Sequence, residues 1–350
     1  MINFKNDYSS IGHIKILKRM LEIEEKKQTF VGYGMDEVCE NARKIILKEV
    51  GNKKSNVHFM MGGTSTNKIF ISHILKPYEA VIAVDTGHIN VHETGAIENN
   101  GHKVVTVPNH NGKISVEDIR KVVREHTDEH MVKPKMVYIS NSTEYGTTYS
   151  LSEIKAISSL CEEENLYFFI DGARLAAALT SKSNDITMKD LGKYCDAFYI
   201  GGTKNGALYG EALVINNPKL NEEFRYTLKQ NGGMAAKGFN IGLQFEVLFT
   251  DGLIYEIGRF ENKLADSLRN GIKKLGLELY NENDTNQVFV LFSKDQARKV
   301  EKEIACEVFG KVEDKVCIRF VTHYNLTEQE IEEGLNIIGK IVGRVWYSSF

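Results

Sequence analysis

The sequence predicts an α/β fold in which helices cover both faces of a wide, mainly parallel sheet, with a smaller α+β domain at the C-terminus. The 350 residues exceed what one hydrophobic core usually organises. From about residue 57 to 216, short apolar runs rich in β-branched and aromatic residues alternate with amphipathic stretches. Longer helical stretches follow, so we expect a large domain over residues 1–245 and a small one over 246–350.

Seven apolar runs are the candidate strands of the sheet. Each is short and is followed by polar or glycine-containing sequence, as expected for buried strands. They cover residues 57–60, 81–84, 104–107, 136–139, 167–170, 197–200 and 212–215. A further candidate strand, residues 316–321, falls in the predicted C-terminal domain.

Helices are predicted between these runs and at both ends of the chain. In residues 115–126, Ser115 can cap the first turn and Asp118 sits at the third position. In residues 151–165, apolar side chains recur at helical spacing. Other helices are expected near the N-terminus and over residues 218–229, 254–275 and 327–342.

The composition excludes several classes of partner. Lys plus Arg number 44 against 47 Asp plus Glu, and no basic stripe interleaved with aromatic residues occurs, so nucleic acid is not expected. Neither a signal peptide nor a run of the ~20 apolar residues that span a bilayer is present, so no membrane association is expected. The five cysteines are odd in number and widely spaced, which is typical of reduced thiols in a cytoplasmic protein.

Residues 62–67 form the first candidate ligand site. Ligands of open α/β sheets bind beyond the carboxyl ends of the strands, and this stretch follows a strand and opens a helix. Backbone N–H groups at Gly63, Thr64 and Ser65, with the two hydroxyls, would cradle a phosphate group. The alternative is a glycine turn whose threonine caps the helix. The stretch matches neither the dinucleotide nor the nucleoside-triphosphate motif.

Asp171 and Lys204 are the next candidates. A carboxylate at Asp171, directly after a strand, would hydrogen-bond a protonated ring nitrogen, while Arg174 is near enough in sequence to meet an anionic oxygen. Alternatively, the acid and the arginine pair with each other to fix a loop. Lys204 follows Thr203 in a glycine-rich turn; a lysine in a desolvated cleft has a lowered pKa and can form a Schiff base, whereas most lysines are solvated surface charges.

His88 follows the strand at residues 81–84, and its flat imidazole could stack on an aromatic cofactor. His88 and His92 could instead bind zinc, but no third ligand has suitable spacing, so no metal site is predicted. A phosphate cradle, a stacking residue, a carboxylate and a Schiff-base lysine thus occur in this order, each after a strand. Together they predict a site for pyridoxal 5′-phosphate.

The chain resembles the low-specificity threonine aldolases, which belong with the β-eliminating lyases among the pyridoxal phosphate enzymes of aspartate-aminotransferase-like fold. The resemblance implies that Lys204 binds the cofactor aldehyde and that the site lies between subunits of a homodimer or homotetramer. It also implies that Asp171 binds the ring nitrogen of the cofactor and that His88 stacks on the ring. Arg174 and Arg319 are expected to hold the substrate carboxylate. The matching stretches span both predicted domains: residues 62–64, 88–89, 93–96, 171–174, 204, 232–234 and 319–323.

Three stretches depart from the family pattern, the mildest being Thr203-Lys204-Asn205-Gly206 in place of the usual Ser-Lys-Gly-Leu. The aldolases have a histidine near the substrate's β-hydroxyl, after the strand at residues 136–139, where this chain has Ser142-Thr143-Glu144. The arginine expected to reach the neighbouring subunit's phosphate is Ala235, so Lys237 is the expected substitute.

The resemblance implies an aldolase that cleaves a β-hydroxy amino acid, such as threonine or allo-threonine, to glycine and an aldehyde. His88, Glu144 or a held water could be the base that removes the hydroxyl proton. A β-eliminating lyase on the same cofactor is the nearest alternative, because a fold does not fix a reaction. A binding protein without turnover is disfavoured by the presence of Lys204, Asp171 and both arginines.

Overall fold

The structure is a computed structural model that describes residues 1–346. Its strands are β1 (Ile2–Asn3), β2 (Asn56–Met60), β3 (Glu79–Val84), β4 (Lys103–Val107), β5 (Lys133–Ser140), β6 (Tyr167–Asp171), β7 (Ala197–Gly201), β8 (Glu211–Ile215), β9 (Glu278–Leu279), β10 (Gln287–Phe292), β11 (Ile304–Ala305), β12 (Glu307–Val312) and β13 (Lys315–Val321). Its α-helices are α1 (Ile14–Glu25), α2 (Glu37–Val50), α3 (Gly63–Ile74), α4 (His88–Val91), α5 (Val116–Glu125), α6 (Leu151–Glu163), α7 (Leu175–Leu179), α8 (Met188–Tyr194), α9 (Phe224–Gln230), α10 (Phe239–Phe249), α11 (Leu253–Lys274), α12 (Lys294–Glu303) and α13 (Glu328–Val342).

Seven strands form one wide sheet in the order β2-β8-β7-β6-β5-β3-β4. The strands from β7 to β4 pair in parallel, whereas β8 runs antiparallel to both β2 and β7. All seven predicted strands are present. The prediction of a wide, mainly parallel sheet is therefore confirmed.

Both faces of this sheet are buried except at the outer strand β4, which explains why most of its strands read as continuous apolar runs. Along β5, Val137 and Ile139 lie in the hydrophobic cluster that α2, α6 and α10 share, while Met136 and Tyr138 lie in the cluster of α3 and α9. Alternation along each strand decides which layer a side chain joins. Polar side chains at the strand ends are assigned to a face by the same rule.

An α+β unit follows at the C-terminus, as predicted. Its antiparallel sheet, β12-β13-β10-β9, packs in one hydrophobic cluster with α11, α12 and α13. Strand β1 pairs with β11, and Phe4 is buried in the same cluster. The first residues of the chain thus join the small unit, although the sequence placed them in the large domain. The boundary at residue 245 remains a prediction.

The predicted helices differ in outcome. Helices α5, α6, α11 and α13 are present, and the Ser115 side chain accepts a hydrogen bond from the Asp118 N–H as expected. The single helix predicted over residues 218–229 is wrong. A 3-10 turn, Pro218–Asn221, is followed by α9, and Glu223 between them has a left-handed φ of 55°, which a continuous helix does not allow. Within residues 1–346, no helix has the length and apolar character needed to cross a membrane.

Candidate active site

The candidate residues lie at the carboxyl ends of several strands, along the edge of the wide sheet that runs across the strand ends. Ser140, at the end of β5, is in register with Asp171, the last residue of β6. Met60 at the end of β2 and Gly201 at the end of β7 both pair with Glu211. Because α3 follows β2 directly, its N-terminus lies at this edge too.

Asp171 is a buried carboxylate stabilised by hydrogen bonds. Its Oδ2 atom accepts one from the Tyr138 hydroxyl at 2.6 Å and one from Asn67 Nδ2 at 3.0 Å. Burial alone would raise the pKa of this carboxyl, but the charge of His88 and hydrogen bonds that include one from Tyr199 hold it below its usual value. Asp171 is therefore an interior anion that can bind a cationic group.

His88 is fixed by a second buried acid. Its Nδ1 atom lies 2.8 Å from Oε1 of Glu93, and the same oxygen accepts a hydrogen bond from Asn67 Nδ2 at 2.8 Å. The Glu93 side chain is fully buried, whereas 32% of the His88 side chain is exposed. Asn67 therefore connects the two acids, and part of the His88 imidazole remains accessible to solvent. The His92 ring lies 5.5 Å from that of His88, but no three metal-ligating side chains cluster anywhere in residues 1–346.

Lys204 lies in a turn that its neighbours hold rigidly. The Asn205 side-chain amide donates to the carbonyls of Gly201 at 2.7 Å and Ala173 at 3.1 Å. The Lys204 Nζ atom is 6.0 Å from the centre of the Tyr8 ring. Burial lowers the pKa of the Lys204 amine, and the positive charge of Arg174 lowers it further. An amine with a lowered pKa is more often neutral and hence more nucleophilic.

Arg174 pairs with Asp7 rather than with Asp171, so the loop-fixing pair considered from the sequence does not form. Its Nε atom is 2.6 Å from Asp7 Oδ2, and its Nη2 atom is 3.1 Å from Oδ1. Asn286 Nδ2 also donates to Asp7, at 3.0 Å. Although burial opposes it, the Arg174 charge lowers the pKa of Asp7 to about 2. This cluster joins the N-terminal segment to both parts of the fold.

Arg319 reaches the same region from β13. Its Nη1 atom donates to Gln287 Oε1 at 3.2 Å, and its Nη2 atom forms an ion pair with Glu307. Its buried Nε atom has no hydrogen-bond partner among residues 1–346. Burial lowers the pKa of Arg319, and the charge of Arg174 lowers it further. Gln287 directly follows Asn286, which binds Asp7, so Arg319 and the Arg174–Asp7 pair lie in the same region. An anion here would meet an incompletely paired arginine.

Glu144 lies between His88 and the end of β5. Its Oε1 atom accepts hydrogen bonds from the Ser140 hydroxyl at 2.7 Å and from the backbone N–H of His88 at 3.1 Å. Burial raises the pKa of the Glu144 carboxyl. The structure thus brings Glu144, His88 and Asp171 together.

The N-terminus of α3 offers donors to an anion. The Ser65 hydroxyl donates to the Gly62 carbonyl at 2.8 Å, and within the described chain no side chain caps this helix. Thr64 therefore is not the cap considered from the sequence. A Cβ atom on Gly63 would lie 3.1 Å from the Tyr199 hydroxyl, so the glycine permits the close approach of this turn to β7. Lys237 is exposed on the loop before α10, where the adjacent Ala236 carbonyl accepts the Tyr33 N–H.

Several residues of this site were given no role from the sequence. Tyr138 and Tyr199 belong to two of the predicted strands, and period-two alternation places both on the face that Asp171 shares, which is a usable signal. Asn67 and Glu93 lie inside motifs already recognised. Glu211 is the first residue of the antiparallel strand β8, directly before its apolar residues, and no local pattern marks it as part of the site.

Comparisons with known proteins identify the family of the chain. The family model of the β-eliminating lyases matches residues 15–295. A low-specificity L-threonine aldolase of a Pseudomonas species is 34% identical over 244 residues, which are 68% of this chain and 70% of the relative.

Solved structures extend the match to nearly the whole chain. A threonine aldolase of Leishmania major is 41% identical, with a TM-score of 0.95 over 98% of this chain and all of the other. An aspartate aminotransferase of Thermus thermophilus shares the fold at 13% identity, with a TM-score of 0.74 over 97% of this chain and 91% of the other. This confirms the predicted aspartate-aminotransferase-like fold and the predicted family: the chain belongs to the β-eliminating lyases.

Proposed function

We propose that this enzyme is a lyase that binds pyridoxal 5′-phosphate and cleaves threonine or allo-threonine to glycine and acetaldehyde. The observation that carries the proposal is the placement of Lys204, a partly buried amine with a lowered pKa, at the same strand edge as Asp171, a buried acid kept ionised. The 41% identity to a threonine aldolase over 98% of the chain supports the choice of reaction.

The residues present fit this cofactor. The uncapped first turn of α3, with Gly63, Thr64 and Ser65, offers N–H donors to a phosphate group. Asp171 would hold a proton on the pyridine nitrogen, and the partly exposed ring of His88 would stack on the pyridine face. Lys204 would bind the aldehyde carbon, with Thr203 beside it. When bound, the cofactor withdraws electrons from the bonds at the substrate's Cα.

The chain's own residues would orient the amino acid. Arg319, with Arg174 beside it, would hold the carboxylate and so decide which bond at Cα stands perpendicular to the pyridine ring. Arg174 is itself fixed by Asp7, which leaves Arg319 as the arginine with an unpaired buried N–H.

Arg319→Lys should raise KM for the amino acid by roughly 10- to 100-fold, because a lysine loses the two parallel charge-assisted hydrogen bonds of a guanidinium. Cofactor content, measured by absorbance, should stay at the wild-type level. Steady-state kinetics with threonine measures the effect. An unchanged KM and kcat would assign the carboxylate to Arg174 alone.

Glu144 is the proposed base for the β-hydroxyl proton, in place of the family's histidine. Burial raises the pKa of its carboxyl, which brings this acid closer to the range in which a base works well at neutral pH. Glu144→Gln keeps the hydrogen-bond acceptor for Ser140 and His88 but cannot take a proton. We expect kcat to fall roughly 10²-fold or more. A change of only a few fold would mean that a held water or His88 accepts the proton.

Release of pyruvate and ammonia from serine or cysteine is the alternative activity, which the family of β-eliminating lyases favours. The deciding experiment incubates purified enzyme and cofactor with a panel of β-hydroxy amino acids, and with cysteine, and identifies the products by mass spectrometry. Glycine and an aldehyde support the aldolase. Pyruvate without glycine supports β-elimination.

A cytoplasmic homodimer or homotetramer is the proposed form of the enzyme. Val31, Tyr33, Met35 and Met61 are exposed apolar side chains, and such side chains are often covered by a second subunit. Lys237 would then reach the phosphate site of the neighbouring copy. Sedimentation of the purified protein measures the assembly, and a monomer would remove this role for Lys237.

A further inference from the structure

Glu211 is a buried acid beside Lys204 that neither the sequence motifs nor the proposed reaction uses. It is the first residue of β8 and is only 4% exposed. Its Oε2 atom accepts a hydrogen bond from the backbone N–H of Gly202 at 2.7 Å, and its Oε1 atom accepts one from the Thr203 hydroxyl at 2.9 Å. The Thr203 hydroxyl in turn accepts the N–H of Gly210 at 3.0 Å.

These contacts hold Gly202 and Thr203, the two residues that precede Lys204. Asn205, the residue that follows it, is held by the hydrogen bonds of its own side chain to the carbonyls of Gly201 and Ala173. The lysine therefore projects from a turn fixed on both sides. A surface lysine needs no such support. A buried carboxylate is costly unless a cationic group compensates its charge, and the turn that Glu211 holds carries Lys204.

We propose that Glu211 is a positioning residue that sets the pH range in which the Lys204 amine reacts with an aldehyde. The inference rests on the proposed cofactor role of Lys204. The Glu211 carboxylate fixes the Lys204 turn and supplies a negative charge that favours the protonated amine.

The charges around this pair have opposing effects. Burial and Arg174 lower the pKa of the Lys204 amine, whereas Asp7, Asp171 and Glu211 raise it. Around Glu211, burial raises the pKa of the carboxyl to about 7, Lys204 lowers it and Asp171 raises it. The neutral hydroxyl of Tyr199 also faces this acid.

Glu211→Gln removes the negative charge but keeps an acceptor for the Gly202 N–H or the Thr203 hydroxyl. Without the charge, the protonated form of Lys204 is less stable, so the amine becomes neutral at lower pH. The full-length chain, purified free of cofactor, is mixed with pyridoxal 5′-phosphate from pH 6 to 10, and the growth of its visible absorbance is followed. The midpoint of the rate against pH should move down by roughly one unit, the scale for one nearby charge.

Glu79→Gln is the matched control, because Glu79 is also a buried acid but lies at the start of β3, at the opposite edge of the sheet. Its midpoint should match that of the wild type. Glu211→Asp moves the charge back by one methylene group and should shift the midpoint in the same direction by less, which keeps the test valid if the Gln variant does not fold.

A folded Glu211→Gln protein with an unshifted midpoint would overturn the inference and leave the proposed cofactor role intact. A wild-type chain that captures no pyridoxal 5′-phosphate at any pH would instead overturn the proposed function. The two failures are therefore distinguishable.

Discussion

Replacing Lys204 with alanine is expected to abolish covalent capture of pyridoxal 5′-phosphate and to lower turnover of threonine by on the order of 10³-fold or more, a scale within the range for loss of a group that transfers protons. The lysine is partly buried, the pKa of its amine is lowered, and its turn is held by the side chain of Asn205. Another lysine elsewhere on the chain cannot supply a neutral amine at this position.

The measurement is borohydride reduction of the holoenzyme followed by peptide mapping. The pyridoxyl group should be found on Lys204 in the wild type and on no lysine in the variant. Lys135→Ala is the matched control: burial lowers the pKa of Lys135 as well, but it lies near the start of β5, at the far edge of the sheet. An adduct on a lysine other than 204 in the wild-type protein would contradict the whole site assignment.

Asp171→Asn should keep the fold and lower kcat by roughly 10²- to 10³-fold, the scale seen when one preorganised electrostatic group is removed from an active site. The carboxylate is held ionised by Tyr138, Asn67 and the charge of His88. Asparagine has nearly the same shape and can still meet these donors. It lacks the charge that keeps a proton on a pyridine nitrogen.

Steady-state kinetics and the absorbance spectrum of the bound cofactor measure this effect. Asp196→Asn serves as the control, because Asp196 is a partly buried acid just before β7, where its Oδ2 accepts the Phe168 N–H at 2.8 Å. It should keep wild-type turnover even if it is less stable. A normal kcat in Asp171→Asn would place the pyridine ring elsewhere.

The strands were predictable because their signal is local. A strand buried on both faces reads as a largely apolar run within a few residues. Only His58 and Thr106 interrupt the seven runs, and Thr106 is exposed on β4. The candidate residues Asp171, Lys204 and His88 were found because ligands bind beyond strand ends, so position in the chain was enough. The helix predicted over residues 218–229 failed because a single residue, Glu223, adopts a left-handed conformation that apolar periodicity does not encode.

The sequence by itself determined the wide sheet, the family and the residues of the site that follow parallel strands. Only the tertiary structure decided their partners: Asp7 holds Arg174 from 167 positions away, and β1 pairs with β11 across the length of the chain. It also placed Glu211 beside Lys204, through the antiparallel pairing of β7 with β8. Such contacts depend on how distant segments pack, and because burial and neighbouring charges set the pKa of a group, its protonation state is decided by the fold and not by its own local sequence.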